Sequence, residues 1–201
     1  TLQVTQAFLD AISPTLSITI GRSGGRHAII INAVTFNNSV TVRAPNGGSI
    51  TVDGQINATG SASITLDGSG ATTILNADII TAGGAINIDD NVILGTPVSI
   101  TLSSSGGTIT IAGTINDDFA DTTTLVVNAA TGDVFLQNTI GGTTQISGLD
   151  VGGKNITVDD IGDSNTVGVA GITGLNALNQ ITFIGSTYKA NQQSYNAGSA
   201  A

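Results

Sequence analysis

Residues 47–56 read Gly-Gly-Ser-Ile-Thr-Val-Asp-Gly-Gln-Ile, and this phrase indicates a β-strand between two turns. At its centre, the apolar Ile50 and Val52 alternate with the hydroxyl-bearing Ser49 and Thr51. This alternation is typical of a short strand with one buried face. Gly-Gly before the strand and Asp-Gly after it are turn signals. Similar alternation recurs at residues 17–20, 40–42, 63–66, 86–88, 99–102, 108–111 and 155–158. The sequence therefore predicts an all-β chain of short strands and tight turns.

The phrase also repeats along the chain. Residues 83–92 match it at an offset of 36, residues 106–115 form a third copy, and residues 131–140 form a looser fourth. The second residue of each glycine pair thus falls at 48, 84, 107 and 132, in steps of 36, 23 and 25. A repeat of 23–25 residues with strands and turns is about one coil of a parallel β-solenoid, which buries its apolar side by stacking on its neighbours.

We therefore predict a right-handed parallel β-solenoid (β-helix) of about nine coils, at about 22 residues per coil. Alternation predicts that the aliphatic set points inward: Ile50, Val52, Ile64, Leu66, Ile86, Ile88, Ile100, Leu102, Ile109, Ile111, Val134 and Leu136. Their strand neighbours should face outward: Thr51, Thr65, Asn87, Thr101 and Thr110. The alternative fold is an antiparallel β-sandwich, which predicts regular hairpin turns and no long-range repeat.

Helix is expected only at Thr5–Ala11, as one or two turns, with Gly174–Gln180 as a weaker candidate. We expect one continuous domain in three parts. Residues 1–39 form N-terminal capping or joining coils, residues 40–146 the repeat solenoid, and residues 147–201 the C-terminal coils and a module joint.

Composition excludes several functional classes. The chain has 201 residues, of which 27 are Gly and none is Cys, so disulfide frameworks, zinc–thiolate sites and cysteine nucleophiles are excluded. The net charge of −9 argues against nucleic-acid binding, because such a chain repels phosphate. Hydrophobic residues make up 40 %, which argues against disorder. No apolar run is long enough for a membrane-spanning helix, and no signal peptide is expected at the N-terminus. Because the chain also has no initiator Met, we expect it to be a processed or excerpted piece of a longer protein.

Several phrases resemble the β-strand-repeat modules of very large bacterial exoproteins of the haemagglutinin-like or autotransporter-like kind, many of them adhesins. They are residues 48–54, 81–86, 108–115, 125–134 and 140–144, and the tail at 181–188 and 193–198. The resemblance covers roughly residues 40–198 and concerns composition. It implies an extracellular or cell-surface, non-enzymatic protein, and it brings no site residues because these modules share no active site.

Paired aspartates recur at the predicted turns. The pairs are candidate weak calcium ligands: Asp89, Asp90, Asp117, Asp118, Asp159 and Asp160, with Asp121 and Asp163 nearby. Carboxylates on neighbouring coils would also suit the acid and base of a glycosidase. The simplest interpretation is that they stabilise turns, since Asp side chains accept hydrogen bonds from local backbone. The chain lacks calcium-binding nonapeptides and EF-hand patterns.

Other polar features carry weaker hypotheses. His27 ends a glycine-rich basic loop, residues 21–27, that would suit an anion but most simply forms a surface turn. Neither Lys154 nor Lys189 lies within an aspartate group, which argues against a lyase acting on acidic sugars. Alternating threonines would suit an ice-binding face, but steps of 36, 23 and 25 are too irregular for an exact repeat.

The sequence thus predicts a non-enzymatic structural repeat module, an adhesin stalk or an extracellular filament subunit. The alternative function is a carbohydrate-active β-helix enzyme that uses paired aspartates. No cofactor is expected beyond the candidate calcium. The expected partners are copies of itself end to end, or adjoining modules of the same chain, with a carbohydrate or cell-surface receptor as a further candidate. Neither nucleic acid nor membrane insertion is expected. Four apolar residues are candidates for the assembly joint: Phe8, Leu9, Tyr188 and Tyr195.

Overall fold

The computed structural model describes residues 4–13, 16–22, 27–44, 47–68, 70–95 and 99–198. The chain winds into a parallel β-solenoid of about seven turns. Each full turn places one short segment on each of three faces, and every strand pair is parallel. The antiparallel sandwich is therefore excluded. The turns are fewer than nine because coils are longer than 22 residues on average and because a short helix precedes the first strand.

The first face is built from eight stacked segments. They are β1 (Ile18–Gly21), β4 (Val40–Arg43), β7 (Ile64–Asp67), β10 (Ile86–Ile88), β13 (Ile109–Ile111), β16 (Val134–Leu136) and the second halves of β17 (Gly148–Val158) and β18 (Val169–Phe183). Equivalent residues follow at intervals of 22–25, beginning with Ile18, Val40 and Ile64. Coil length therefore varies by up to three residues while the strand register is kept.

The other two faces follow the same principle. The second face contains β2 (Ile29–Ile31), β5 (Ser49–Val52), β8 (Thr72–Leu75), β11 (Asn91–Leu94) and β14 (Ile115–Asp117), and continues as single bridges through Ile140, Ile161 and Tyr188. The third face contains β3 (Val34–Phe36), β6 (Ile56–Ala58), β9 (Ile79–Thr81), β12 (Ser99–Ser104), β15 (Thr124–Asn128), the first halves of β17 and β18, and β19 (Ala190–Ala197). Because β17 and β18 run over the corner, they join the third face to the first.

The predicted strand directions are confirmed. All twelve residues of the predicted inward set are at most 1 % exposed and belong to one continuous aliphatic core. The predicted outward residues, such as Thr51 and Thr110, are half-buried because neighbouring coils flank them above and below. Burial of the aliphatic columns is the main stabilising contribution, at about 25 cal/mol per Å² of apolar surface.

The 36-residue offset does not correspond to a coil. It matches β5 on the second face with β10 on the first, so Gly48 and Gly84 are not equivalent. The steps that join Gly84, Gly107 and Gly132 are true coils, because each glycine lies against the carbonyl oxygen of the one before. Local sequence similarity between strands of different faces produced the false match.

The helix predictions had opposite outcomes. The N-terminal helix is confirmed as α1 (Gln6–Asp10), and the side chain of Thr5 caps it by accepting a hydrogen bond from the Phe8 N–H. The candidate helix at Gly174–Gln180 is wrong, because these residues belong to β18. Pairing with β17 satisfies the backbone of this segment, and tertiary pairing overrides its ambiguous local pattern.

Candidate functional site: the aspartate corners and the two ends

The corner between the first and second faces carries a column of charged side chains. The carboxylate of Asp67 lies 3.0 Å from the Nε of Arg43 on the preceding coil. Asp89 follows Asp67 on the next coil, since its N–H donates to the carbonyl of Leu66. Burial raises the pKa of Asp89, and the negative charge of Asp67 raises it further. Sequence reasoning missed Asp67, and its only signal was a spacing of one coil from Asp89.

Asp90 turns into the same corner and is only 2 % exposed. Its carboxylate accepts hydrogen bonds from the N–H of Gly68 and, at 3.0 Å, from the hydroxyl of Thr73. Burial raises the pKa of Asp90, although these hydrogen bonds act in the opposite direction. The contacts connect one coil to the previous one, so Asp90 holds the backbone of a turn.

Asp117 lies at a different corner, between the second and third faces, and is also 2 % exposed. Its Oδ2 accepts hydrogen bonds from the N–H groups of Thr122 and Thr123, at 2.9 and 2.7 Å. These bonds close the loop that contains Asp121, whose φ of 64° lies in the left-handed region. Asp118 is exposed on the outside of this loop.

Asp159 and Asp160 return to the first corner, three coils after Asp89. The Oδ1 of Asp160 accepts hydrogen bonds from the N–H groups of Ser186 and Thr187, each at 2.6 Å. Like Asp90 and Asp117, Asp160 therefore stabilises a neighbouring turn.

The loop that follows also depends on an aspartate. Oδ1 of Asp163 accepts from the N–H groups of Asn165 and Thr166, both at 2.7 Å, and these bonds lower the pKa of Asp163. The ammonium of Lys189 donates to the carbonyls of Asp163 and Ser164, at 2.5 and 3.0 Å. Lys189 is distant from the aspartates in sequence, but one coil of winding brings it to this loop.

The predicted calcium ligands lie at different corners of the solenoid and on different coils. Within the described ranges, no three His, Cys, Asp or Glu side chains come together as a metal site. Calcium binding stays a prediction. His27 is exposed just before β2, and residues 23–26 of its loop lie outside the described residues.

A column of side chains, most of them threonines, runs along the outside of the first face. It contains Thr19, Thr41, Thr65, Asn87, Thr110, Phe135, Thr157 and Thr182 in register. The column is more regular than the sequence steps suggested, because extra residues are accommodated at corners. Asn87 and Phe135 interrupt the hydroxyl series, and neighbouring threonines stabilise the sheet as cross-strand pairs.

The N-terminal end is covered by α1. Leu9 is 2 % exposed and packs on the core, whereas Phe8 is 59 % exposed. The side-chain amide of Gln6 pairs with the backbone of Thr35 on β3: its Nε2 donates to the carbonyl at 2.7 Å, and its Oε1 accepts from the N–H at 3.0 Å. Gln6 thus takes the place of a neighbouring strand at the edge of β3.

The C-terminal end holds three aromatic side chains, one from each face. The ring centroid of Phe183 lies 4.7 Å from that of Tyr188 and 5.1 Å from that of Tyr195, in edge-to-face geometry. They continue the inward columns of Val158, Ile161 and Leu175. We call Phe183, Tyr188 and Tyr195 the aromatic plug. Sequence reasoning singled out both tyrosines but not Phe183.

Comparison with known protein families, with curated proteins and with solved structures finds no match. In the part of the chain that the structure describes, no helix has the length and apolar character needed to span a membrane.

Proposed function

We propose that this chain is a non-enzymatic structural repeat module, a stalk or filament subunit, of a secreted or cell-surface protein. The observation that carries this proposal is the parallel ladder between successive coils, which keeps its register along the first face from Ile18 to Phe183. At about 4.8 Å per coil, the ladder spans about 34 Å. Such a rod holds two attachment points at a fixed distance, which is the mechanical task of a stalk.

The chemistry of the side chains supports the same function. Asp90, Asp117 and Asp160 bind the backbone of turns and so contribute to the stiffness of the rod. The net charge of −9 favours solubility of an elongated, exposed protein. The resemblance of residues 40–198 to repeat modules of bacterial adhesins supports an extracellular location.

Single-molecule extension tests the mechanical proposal. The chain is held through handles added at its two termini and pulled. We expect resistance well above that of an unstructured chain, followed by release in steps of whole coils, because each coil contacts only its neighbours. Extension at the force of an unstructured chain would contradict a stalk function.

The alternative enzyme function has one specific observation in its favour. Asp67 and Asp89 lie on neighbouring coils, and the pKa of Asp89 is raised, as suits a general acid. Assays on acidic and neutral polysaccharides distinguish the two functions. Turnover that is abolished by Asp89→Ala or Asp159→Ala, and retained by the exposed control Asp118→Ala, would replace the structural proposal with an enzymatic one.

A further inference from the structure

A hollow of about 460 Å³ opens on the outside of the third face, where β15, β17 and β18 lie side by side. Its lining includes Thr124, Asp150 and Ile172 and two glycines, Gly148 and Gly174. Gly148 pairs in register with Thr124, and Gly174 pairs with Asp150. The hollow therefore lies where two neighbouring outward columns each lack one side chain.

The hollow suits an apolar side chain. Ile172 in its lining is 55 % exposed, which is unusual for an isoleucine in a sheet. A Cβ placed on Gly174 would lie 3.4 Å from its nearest neighbour, Oδ1 of Asp150, so the space above this glycine is open. A volume of this size belongs to the range in which proteins bind ligands and partner side chains.

An exposed aromatic side chain lies on the loop that leads into β15. Phe119 is 70 % exposed, and its carbonyl accepts a hydrogen bond from the hydroxyl of Thr122 at 2.7 Å. The N–H of Asp121 donates to the carbonyl of Gln145 on the next coil at 3.0 Å, three residues before Gly148. These bonds fix the loop beside the hollow, so Phe119 is presented to a partner with little loss of conformational freedom.

This part of the rod is strongly acidic. Between Arg43 and Lys154 the chain has ten aspartates and no Lys or Arg. Asp118, Asp121 and Asp150 are exposed on the loop and in the lining of the hollow, and among the described residues they form no ion pair. Such a surface attracts a cationic partner and repels a second copy of the same chain.

We infer that the hollow and Phe119 form a docking site for a basic segment of a partner protein. An apolar side chain of that segment fills the hollow, and neighbouring Lys or Arg side chains pair with Asp118, Asp121 and Asp150. An apolar centre with polar groups at its rim is the usual arrangement of a protein interface. A stalk needs no site on its side to hold two ends apart, so this docking site goes beyond the proposed structural function.

Binding of labelled peptides to the full chain tests the site. The probe is a short peptide of Lys and Ser residues with a single central Leu. In one comparison peptide Ser replaces the Leu, and in the other Glu replaces every Lys. Fluorescence anisotropy should show that the probe binds roughly tenfold more tightly than either comparison peptide, because the apolar side chain and the positive charges each contribute.

Two valine variants test whether the hollow itself is occupied. Gly174→Val fills the hollow, and its Cβ makes only ordinary contacts. Gly152→Val is the matched control: this glycine also lies on the third face, its Cβ would lie 3.5 Å from Oδ1 of Asn128, and it is not part of the lining. With circular dichroism showing that both variants fold, we expect Gly174→Val to weaken binding of the probe roughly tenfold and Gly152→Val to leave it unchanged.

Further variants test the rim of the site. Asp150→Asn should weaken binding several-fold and reduce its dependence on salt, because one charge pair is lost. Asp89→Asn removes the same charge from an exposed position at another corner and should have a smaller effect. Phe119→Ala should also weaken binding, whereas Phe8→Ala, which removes a ring that is 59 % exposed on α1, should not.

Several outcomes would overturn the inference. They are equal binding by Gly174→Val and Gly152→Val, equal binding of the peptide that lacks Leu, and no binding at millimolar peptide. Self-association of the chain that Gly174→Val abolishes would assign the hollow to a second copy and would also overturn it. The extension experiment uses no peptide and the peptide experiments apply no force, so the stalk function and the docking site can fail separately.

Discussion

The corner between the third and first faces is built from glycines that stack one above another. A Cβ on Gly84 would overlap the backbone carbonyl of Ala62, and a Cβ on Gly107 would overlap that of Gly84. Because the overlapping atoms belong to the backbone, a side-chain rotation cannot relieve the contact. Glycine is required here for close approach between coils.

Gly84→Ala should therefore destabilise the chain by about 1–3 kcal/mol, the usual cost of overpacking. Urea unfolding followed by circular dichroism measures the change in free energy of unfolding. The adjacent variant Gly83→Ala is the matched control, since its Cβ would meet only the carbonyl oxygen of Gly60, at 3.3 Å. Equal destabilisation by both variants would contradict a requirement specific to the stacked glycine.

The buried carboxylate of Asp90 should give stability an unusual pH dependence. Burial raises the pKa of Asp90 in the folded chain, so the folded state binds the proton more tightly than the unfolded state does. Its contribution is therefore greatest at acid pH and is lost as pH rises from about 3.9, the ordinary Asp pKa, through the raised value. In Asp90→Asn this fall should be smaller, as measured by urea unfolding at a series of pH values.

Asp163→Asn provides the opposite case. Hydrogen bonds from Asn165 and Thr166 lower the pKa of Asp163, so its contribution is present above the ordinary Asp pKa and is lost as pH falls through the lowered value. The variant should reduce acid destabilisation, whereas Asp90→Asn should not. Identical pH profiles for the two variants would show that the hydrogen bonds and burial do not act as described.

Among single elements, α1 shows how a side chain can substitute for a strand. The amide of Gln6 offers one donor and one acceptor, the same pair of groups that a residue of a neighbouring strand offers. It satisfies the backbone of Thr35 and leaves less of the N-terminal edge free. The burial of Leu9, and a hydrogen bond that the side-chain amide of Asn37 donates to Oδ1 of Asp10 at 3.4 Å, also hold α1 on the solenoid.

Gln6→Ala should open the edge of β3 at a cost of about 1 kcal/mol, because the two exposed hydrogen bonds to Thr35 are lost together with the one to Asp10 within α1. Amide hydrogen exchange at Thr35 should become faster, while exchange in β10 stays unchanged. Gln55→Ala is the control, since the side-chain amide of Gln55 donates to Oδ1 of Asn57, two residues along the chain, at 2.9 Å. Unchanged exchange at Thr35 would contradict the capping role.

The elements also show what the sequence can and cannot predict. Strand directions such as those of Ile86 and Ile88 follow from alternation, which is a local property. The placement of Asp89 beside Asp67 depends on coil length, which varies between 22 and 25 residues along the first face. Residue equivalence across coils therefore needs the three-dimensional register, and the false match of Gly48 with Gly84 arose for that reason.

For the whole molecule, the repeated register predicts that one coil is removable. Residues 86–108 make up one turn, because Ile86 pairs in register with Ile109. Deleting them should leave a folded, shorter rod, with the denaturant dependence of unfolding reduced by about one seventh. Circular dichroism and urea unfolding measure both effects. Deleting residues 86–97, about half a turn, should prevent folding, and equal tolerance of the two deletions would contradict the prediction.

The aromatic plug has an optical consequence. The chain has two tyrosines and no tryptophan, and both tyrosines belong to the plug in the last coil. Tyrosine fluorescence thus reports on the folding of one end of the rod, while far-ultraviolet circular dichroism reports on the β-structure of the whole solenoid. If the last coil frays before the others melt, the two signals will have different midpoints, and unfolding will be visibly directional without any added label.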